Sequence, residues 1–356
     1  MRGSPLARFL YLVYALLVAY ASLYPLSGWS DAGLSAFAFL SAPWPRYLTT
    51  FDVAVNVLAY VPYGFLCVLA LYPRVLGYAA VVVAALSGAA LSLGLEAAQT
   101  YLPARFESNL DVAFNFVGAL LGALLGARLA PWLLQGGPLK RARASAISPG
   151  AAADLGLVLL GLWLFTQLNP AMLLFGLGDL RDLFAAPGGP ARAAELFISI
   201  EAMTAGANLV AVAVILSAIV APGERVRTML IALVLAALAI KTAAFAILMQ
   251  AENVFAWLTP GALQGLAAGL LAAALAVWLP RTARLVLAAV LIMAGTVLVN
   301  LAPPNPYLTA SLKVWQQGHF LNFNGLTRLV TSVWPFAALA YIIYLSSRRE
   351  SIKIFD

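Results

Sequence analysis

Residues 233–240 read Leu-Val-Leu-Ala-Ala-Leu-Ala-Ile, eight apolar side chains with no alternation. A membrane-barrel strand alternates apolar and polar residues over about ten positions, so this run excludes a barrel wall. It suits a helix in lipid, where the backbone must satisfy its own polar groups. The run is typical of the chain. Of the 356 residues, 63% are apolar and only 10% are charged, with a mean hydropathy of +0.94. Soluble domains carry about 25% charged residues, and no single core could hide this much apolar side chain behind so few charges. Lipid is therefore the solvent for most of the chain. That excludes a soluble enzyme, a secreted disulfide scaffold and a disordered protein. One cysteine, Cys67, permits no intrachain disulfide.

A spanning helix needs about 20 mostly apolar residues. Cut at its charges and Pro/Gly clusters, the chain yields ten such segments: 7–24, 53–72, 76–97, 110–130, 155–175, 195–219, 228–250, 259–279, 283–301 and 328–346. The expected fold class is an all-α polytopic membrane protein of about ten transmembrane helices. With the N-terminus inside, fourteen of the 21 Lys and Arg residues fall at inner ends and loops. Six fall outside (Arg46, Arg105, Arg181, Arg192, Lys313 and Arg328), and Lys241 alone lies within a span. By the positive-inside rule both termini are cytoplasmic. A cleavable leader ending at Ala19-Tyr20-Ala21 is the rival reading of the first span. Basic residues scattered at helix ends form no stripe, so the net charge of +7 does not mark a nucleic-acid binder.

The stretch 136–153, rich in Gly, Pro, Ser and base, reads as a cytoplasmic linker. It separates a four-helix membrane domain, 1–135, from a six-span domain, 154–356.

The four-helix part contains an internal repeat. Its second span opens Phe-Asp-Val-Ala-Val-Asn-Val-Leu (51–58) and its fourth opens Leu-Asp-Val-Ala-Phe-Asn-Phe-Val (110–117). Each pairs an aspartate with an asparagine four residues on, a spacing that puts both on one helix face. Asp52 and Asp111 suit N-capping, but Asn56 and Asn115 lie a turn deeper, where an amide needs a partner. Ser92, Glu96 and Gln99 on the third span fall within about 60° of one another, at the level of the aspartates. Arg105 follows in the next loop. The group converges just below the outer surface, where buried carboxylates either lock helices together or mark a site. Asp52, Glu96, Arg105 and Asp111 are the candidate catalytic residues, and Asn56, Tyr63, Ser92, Gln99 and Asn115 the candidate binding residues. Pro62 and Gly64 read as architecture, as do Gly118, Gly122 and Gly126, whose four-residue spacing lets a second helix approach closely.

The order Tyr-Pro-Leu-Ser-Gly-Trp (24–29), Asp-x3-Asn-x5-Pro-x-Gly (52–64), Glu-x2-Gln (96–99), Arg-x2-Ser (105–108) and Asp-x3-Asn-x2-Gly-x3-Gly (111–122) resembles the VanZ-like family of bacterial integral membrane proteins. The resemblance covers residues 5–130 and stops at the linker. Asp52, Asn56, Pro62, Gly64, Glu96, Gln99, Arg105, Asp111, Asn115 and Gly118 match its pattern. It implies a small helical module in the bacterial cytoplasmic membrane and, through the founding member, a link to resistance against the glycopeptide teicoplanin. The six further spans depart from it.

In the six-span part, Glu201 lies about 10 Å and Lys241 about 14 Å below the outer ends of antiparallel spans, which suggests a buried ion pair; a proton or ion relay is the sharper reading. The segment 302–325 reads as a re-entrant interfacial cap, with its single histidine, His319, as an alternative base. With one cysteine and one histidine no zinc site is expected, nor any other cofactor. Two functions follow: an enzyme acting on an envelope lipid or lipid-linked glycan intermediate, with Glu96 or an aspartate as base and Arg105 holding an anion, or a protein that binds or transports such a lipid or a drug. A structural role toward a protein partner is the third. The polar residues fade below the outer third, which argues against through-transport.

Overall fold

The computed structural model describes residues 3–31, 33, 35–44, 49–181, 194–249, 253–303 and 321–347. These form eleven α-helices and no strand. The helices are α1 (Pro5–Leu23), α2 (Thr50–Leu71), α3 (Gly77–Gln99), α4 (Asn109–Pro131), α5 (Pro138–Ala146), α6 (Ala151–Thr166), α7 (Ala194–Ile219), α8 (Val226–Leu248), α9 (Pro260–Ala276), α10 (Arg281–Leu301) and α11 (Leu321–Ser347). Eight are long and apolar enough to cross a membrane, while α6 and α9, at 16 and 17 residues, are shorter. The chain is a multi-pass helical membrane protein. It divides into two compact units, residues 1–145 and 146–356. The stretch expected as a linker is helical over α5, and the boundary between units falls at its end.

In the first unit, α2 and α4 run parallel in close contact. A Cβ at Gly118 would stand 2.2 Å from the Val57 carbonyl oxygen, one at Gly122 1.9 Å from that of Val61, and one at Gly64 1.9 Å from that of Ala119. Only hydrogen fits there, so the backbones touch and the two copies of the repeat lie side by side. The α2 helix continues unbroken through Pro62, whose missing N–H leaves the Leu58 carbonyl without its helical partner. On the other side α1 is fixed to α2 by the Tyr14 hydroxyl, which donates to the Ala59 carbonyl at 2.8 Å.

The second unit is built round α7, 16 of whose 26 residues are buried. A helix apolar all round belongs in a core. The fifth apolar segment, expected as a helix to residue 175, leaves helical geometry after Thr166. Asn169 precedes Pro170, a pairing that disfavours helix. The chain then runs as irregular backbone from 167 to 180, with Asn169, Leu174, Phe175 and Leu177 buried. Such backbone is tolerated in a membrane protein only where protein satisfies it. Here Asn208 of α7 donates to the Phe175 carbonyl at 2.9 Å, Asn300 of α10 brackets Gly178 and Leu180, and the Thr331 carbonyl accepts from the Gly178 amide. Phe175 itself sits at a φ of 54°, a left-handed conformation that costs about 1–3 kcal/mol for a non-glycine residue, held by this surrounding net.

Lys241 closes that net and corrects one expectation. Its ammonium, 1% exposed, donates to the carbonyls of Asn169 and Met172, each at 2.7 Å. No contact ion pair with Glu201 forms among the described residues. The Glu201 carboxylate lies against the first turn of α9, beside Gly261 and the Thr259 hydroxyl, and acts on Lys241 from beyond contact distance. Two carbonyls of one re-entrant segment satisfy the ammonium more directly than a carboxylate held at a helix N-terminus. Arg328, placed in an outer loop by the sequence, lies inside α11, which starts at residue 321. His319 and most of the segment 302–325 lie outside the described residues.

Candidate functional site at the N-terminal ends of α2 and α4

The repeat delivers Asp52 and Asp111 to the same end of the first unit, but their surroundings differ. Thr49 and Asp52 form a capping box on α2: the Asp52 amide donates to the Thr49 hydroxyl oxygen at 3.1 Å, and the Asp52 carboxylate accepts from the Thr49 hydroxyl at 2.6 Å and the Thr49 amide at 3.2 Å. Asp52 is exposed and its carboxylate caps a helix. Ser108 and Asp111 repeat the spacing at the start of α4, yet no side chain caps that helix. The Ser108 amide donates to the Glu96 carboxylate at 2.8 Å. Asp111, half-buried, faces the Asn56 amide, and Asp52 lies within electrostatic range.

Glu96 is the centre of the arrangement. It sits one turn from the end of α3, 4% exposed, with Asp111, Glu107 and Arg105 close enough to act on it electrostatically. One turn below, the Asn115 amide donates to the Ser92 hydroxyl at 2.9 Å. Tyr60 of α2, 3% exposed, brings its hydroxyl near Ser92 and Glu96 without a hydrogen bond of acceptable geometry to either. Among the described residues the Asn115 Oδ1 atom is likewise buried and without a hydrogen-bond partner, and the Ser108 hydroxyl lies beside the Asp111 carboxylate without a bond of acceptable geometry. Three such atoms round one buried carboxylate are notable, because buried polar groups are nearly always bonded.

Arg105 and Gln99 have another immediate task. Arg105 donates through Nε to the Ser22 carbonyl at 3.0 Å and through Nη2 to the Ala21 carbonyl at 2.8 Å; Gln99 donates to Ser22 at 2.9 Å. These carbonyls end α1 and have no partner in their own helix, and a cation there also suits the helix dipole. The side-on fork of the guanidinium, expected to grip an anion, grips backbone. Burial pulls the Arg105 guanidinium below its ordinary range, and the neighbouring Glu96 carboxylate opposes that pull. The Arg-x2-Ser motif thus serves two ends, with Arg105 fastening α1 and Ser108 offering its amide to Glu96.

Tyr63 lies deeper. Its hydroxyl shares a 2.8 Å hydrogen bond with Tyr11 and reaches Ser87 at 3.4 Å; Ser87 in turn is 3.7 Å from the Cys67 sulfur. Polar groups therefore continue to mid-bundle, farther than the sequence suggested. Tyr60, Glu107 and Tyr11 are not marked by the sequence motifs, and Ser108 enters them only as the end of Arg-x2-Ser. Tyr60 had a visible signal, since it extends the Asp52, Asn56 stripe by one more step of four. No group of three or more His, Cys, Asp or Glu side chains is placed to hold a metal ion among the described residues.

The first unit is thus a helical membrane domain with a carboxylate-centred polar site at one end. Its sequence from residue 10 to 130 matches the family described as VanZ/LLP1, so this portion of the chain is a VanZ-family domain. The match covers about a third of the chain, and the second unit is an extension beyond it. No curated protein and no solved structure matches the chain.

Proposed function

We propose that the VanZ-family domain takes up the polar headgroup of an envelope lipid, or of a lipid-linked cell-wall intermediate, at the outer leaflet of the bacterial cytoplasmic membrane. The observation that carries this reading is the buried Glu96, anchored by the Ser108 amide, with polar atoms of Tyr60, Ser108 and Asn115 within a turn of it that have no hydrogen-bond partner among the described residues. A purely structural carboxylate would have its neighbours satisfied. The Lys/Arg bias of the loops supports the outward placement of this end. Chemistry on the lipid would fall to Glu96 or Asp111 as base, with Arg105 fastening the loop instead of holding substrate. The rival reading, passage of a headgroup or proton through the domain, is favoured by the hydroxyl column from Tyr63 through Tyr11 and Ser87. A role in glycopeptide resistance belongs to the same proposal.

The test is complementation of a deletion strain, scored by envelope lipid composition and teicoplanin sensitivity. Glu96→Gln and Asp111→Asn proteins that insert normally are expected to fail, and an intermediate that accumulates in the deletion strain would mark catalysis. Full complementation by both single variants and by the double variant would overturn the proposal.

A further inference from the structure

The headgroup reading leaves the sign of the ligand open, and the contacts decide it. Among the described residues, four carboxylates, Asp52, Glu96, Glu107 and Asp111, gather at this end of the domain with one cation, Arg105, acting on Glu96. That cation has two of its nitrogens on the carbonyls of Ala21 and Ser22. A phosphate brought to Glu96 would meet like charge and find the side-on guanidinium fork occupied. A ligand that donates hydrogen bonds and carries positive charge meets the opposite situation. The buried atoms that lack partners fit such a donor: Asn115 Oδ1 is an acceptor, and the Tyr60 and Ser108 hydroxyls can accept. Neutral oxygens beside a single carboxylate suit a cation that itself donates hydrogen bonds, an organic ammonium.

Resting on the headgroup reading above, we infer that the site selects a primary ammonium, with Glu96 as its counter-ion and Tyr60 and Asn115 as its hydrogen-bond acceptors. A compact –NH3+ group has three donors, matching one carboxylate and two neutral acceptors. Removing an ammonium from water is costly unless it is paired and hydrogen-bonded, and this cluster of side chains offers both. The outer-leaflet source is an aminophospholipid headgroup; a soluble amine has the same chemistry without the acyl chains.

The experiment uses the full chain in nanodiscs of mixed phosphatidylethanolamine and phosphatidylglycerol, with retained lipid identified by native mass spectrometry. Phosphatidylethanolamine should be enriched over phosphatidylglycerol by about tenfold, the scale of one charge-assisted hydrogen bond. N-acetylation of that headgroup should abolish the enrichment. Glu96→Gln should reduce it to the background ratio, Tyr60→Phe should reduce it partly with the fold intact, and Glu224→Gln in the second unit should not change it. Competition by soluble ethanolamine would show that the amine suffices, and its failure to compete would assign the acyl chains a share of the binding. Enrichment of phosphatidylglycerol, or of neither lipid, overturns the ammonium assignment while the complementation result decides the headgroup reading by itself. Enrichment that persists in both Glu96→Gln and Tyr60→Phe overturns its placement at this site.

Discussion

Lys241 in the second unit and Glu96 in the first are both buried charges inside helical bundles, and they are handled in opposite ways. Lys241 is joined to two carbonyls of a re-entrant segment whose other polar groups are held by Asn208, Asn300 and the Thr331 carbonyl. Its charge holds backbone in place. Glu96 accepts one backbone amide, and round it Tyr60, Ser108 and Asn115 keep polar atoms without hydrogen-bond partners among the described residues. A charge enclosed by protein carbonyls works as a fastener, and a charge ringed by unsatisfied groups works as a receptor. The same contrast recurs inside the first unit, where Arg105, Gln99 and Asp52 fasten helix ends while Glu96 and Asp111 do not.

Substitutions that remove fasteners should cost stability, and those at the receptor should cost function. The largest stability loss is expected for Lys241→Met, which strands the buried Asn169 carbonyl and the half-buried one of Met172 and frees the segment 167–180. The cost should be about 3–5 kcal/mol, seen as a lower melting temperature in detergent or as failure to insert. Adding Glu201→Gln should restore little of it, because Glu201 is not the contact partner; full rescue by the double variant would re-establish a direct ion pair. Arg105→Met comes next, at about 1–3 kcal/mol from the unsatisfied ends of α1, with increased hydrogen exchange at the α1 C-terminus. Asp52→Ala removes half of a capping box and should cost about 1 kcal/mol, while headgroup retention persists. Asp111→Asn should change stability least and reduce headgroup retention strongly.

The apolar runs make the helical membrane fold legible, and the repeat sets Asp52 level with Asp111 and, a turn deeper, Asn56 level with Asn115. The spacing of Gly118, Gly122 and Gly126 likewise announced close helix packing. What the sequence concealed were the backbone partners. A carbonyl has no residue type, so Arg105 and Gln99 read as site residues although they fasten α1, and Lys241 read as the partner of Glu201 although it holds Asn169 and Met172. Asp52 and Asp111 open nearly identical segments. Only the position of Glu96 against the Ser108 amide separates a cap from a carboxylate left to face the site. The short α6 was legible in Asn169-Pro170, a signal outweighed by the apolar residues around it.

The central claim is that Glu96 serves a ligand and not the fold. It is tested most directly by comparing wild-type and Glu96→Gln protein for both thermal stability and headgroup retention in the same nanodisc preparation. A glutamine keeps an acceptor for the Ser108 amide, so the melting temperature should stay within a few degrees, about 1 kcal/mol or less for a domain of this size, while selective retention is lost. A melting temperature that falls sharply with retention unchanged would make Glu96 another fastener and contradict the account.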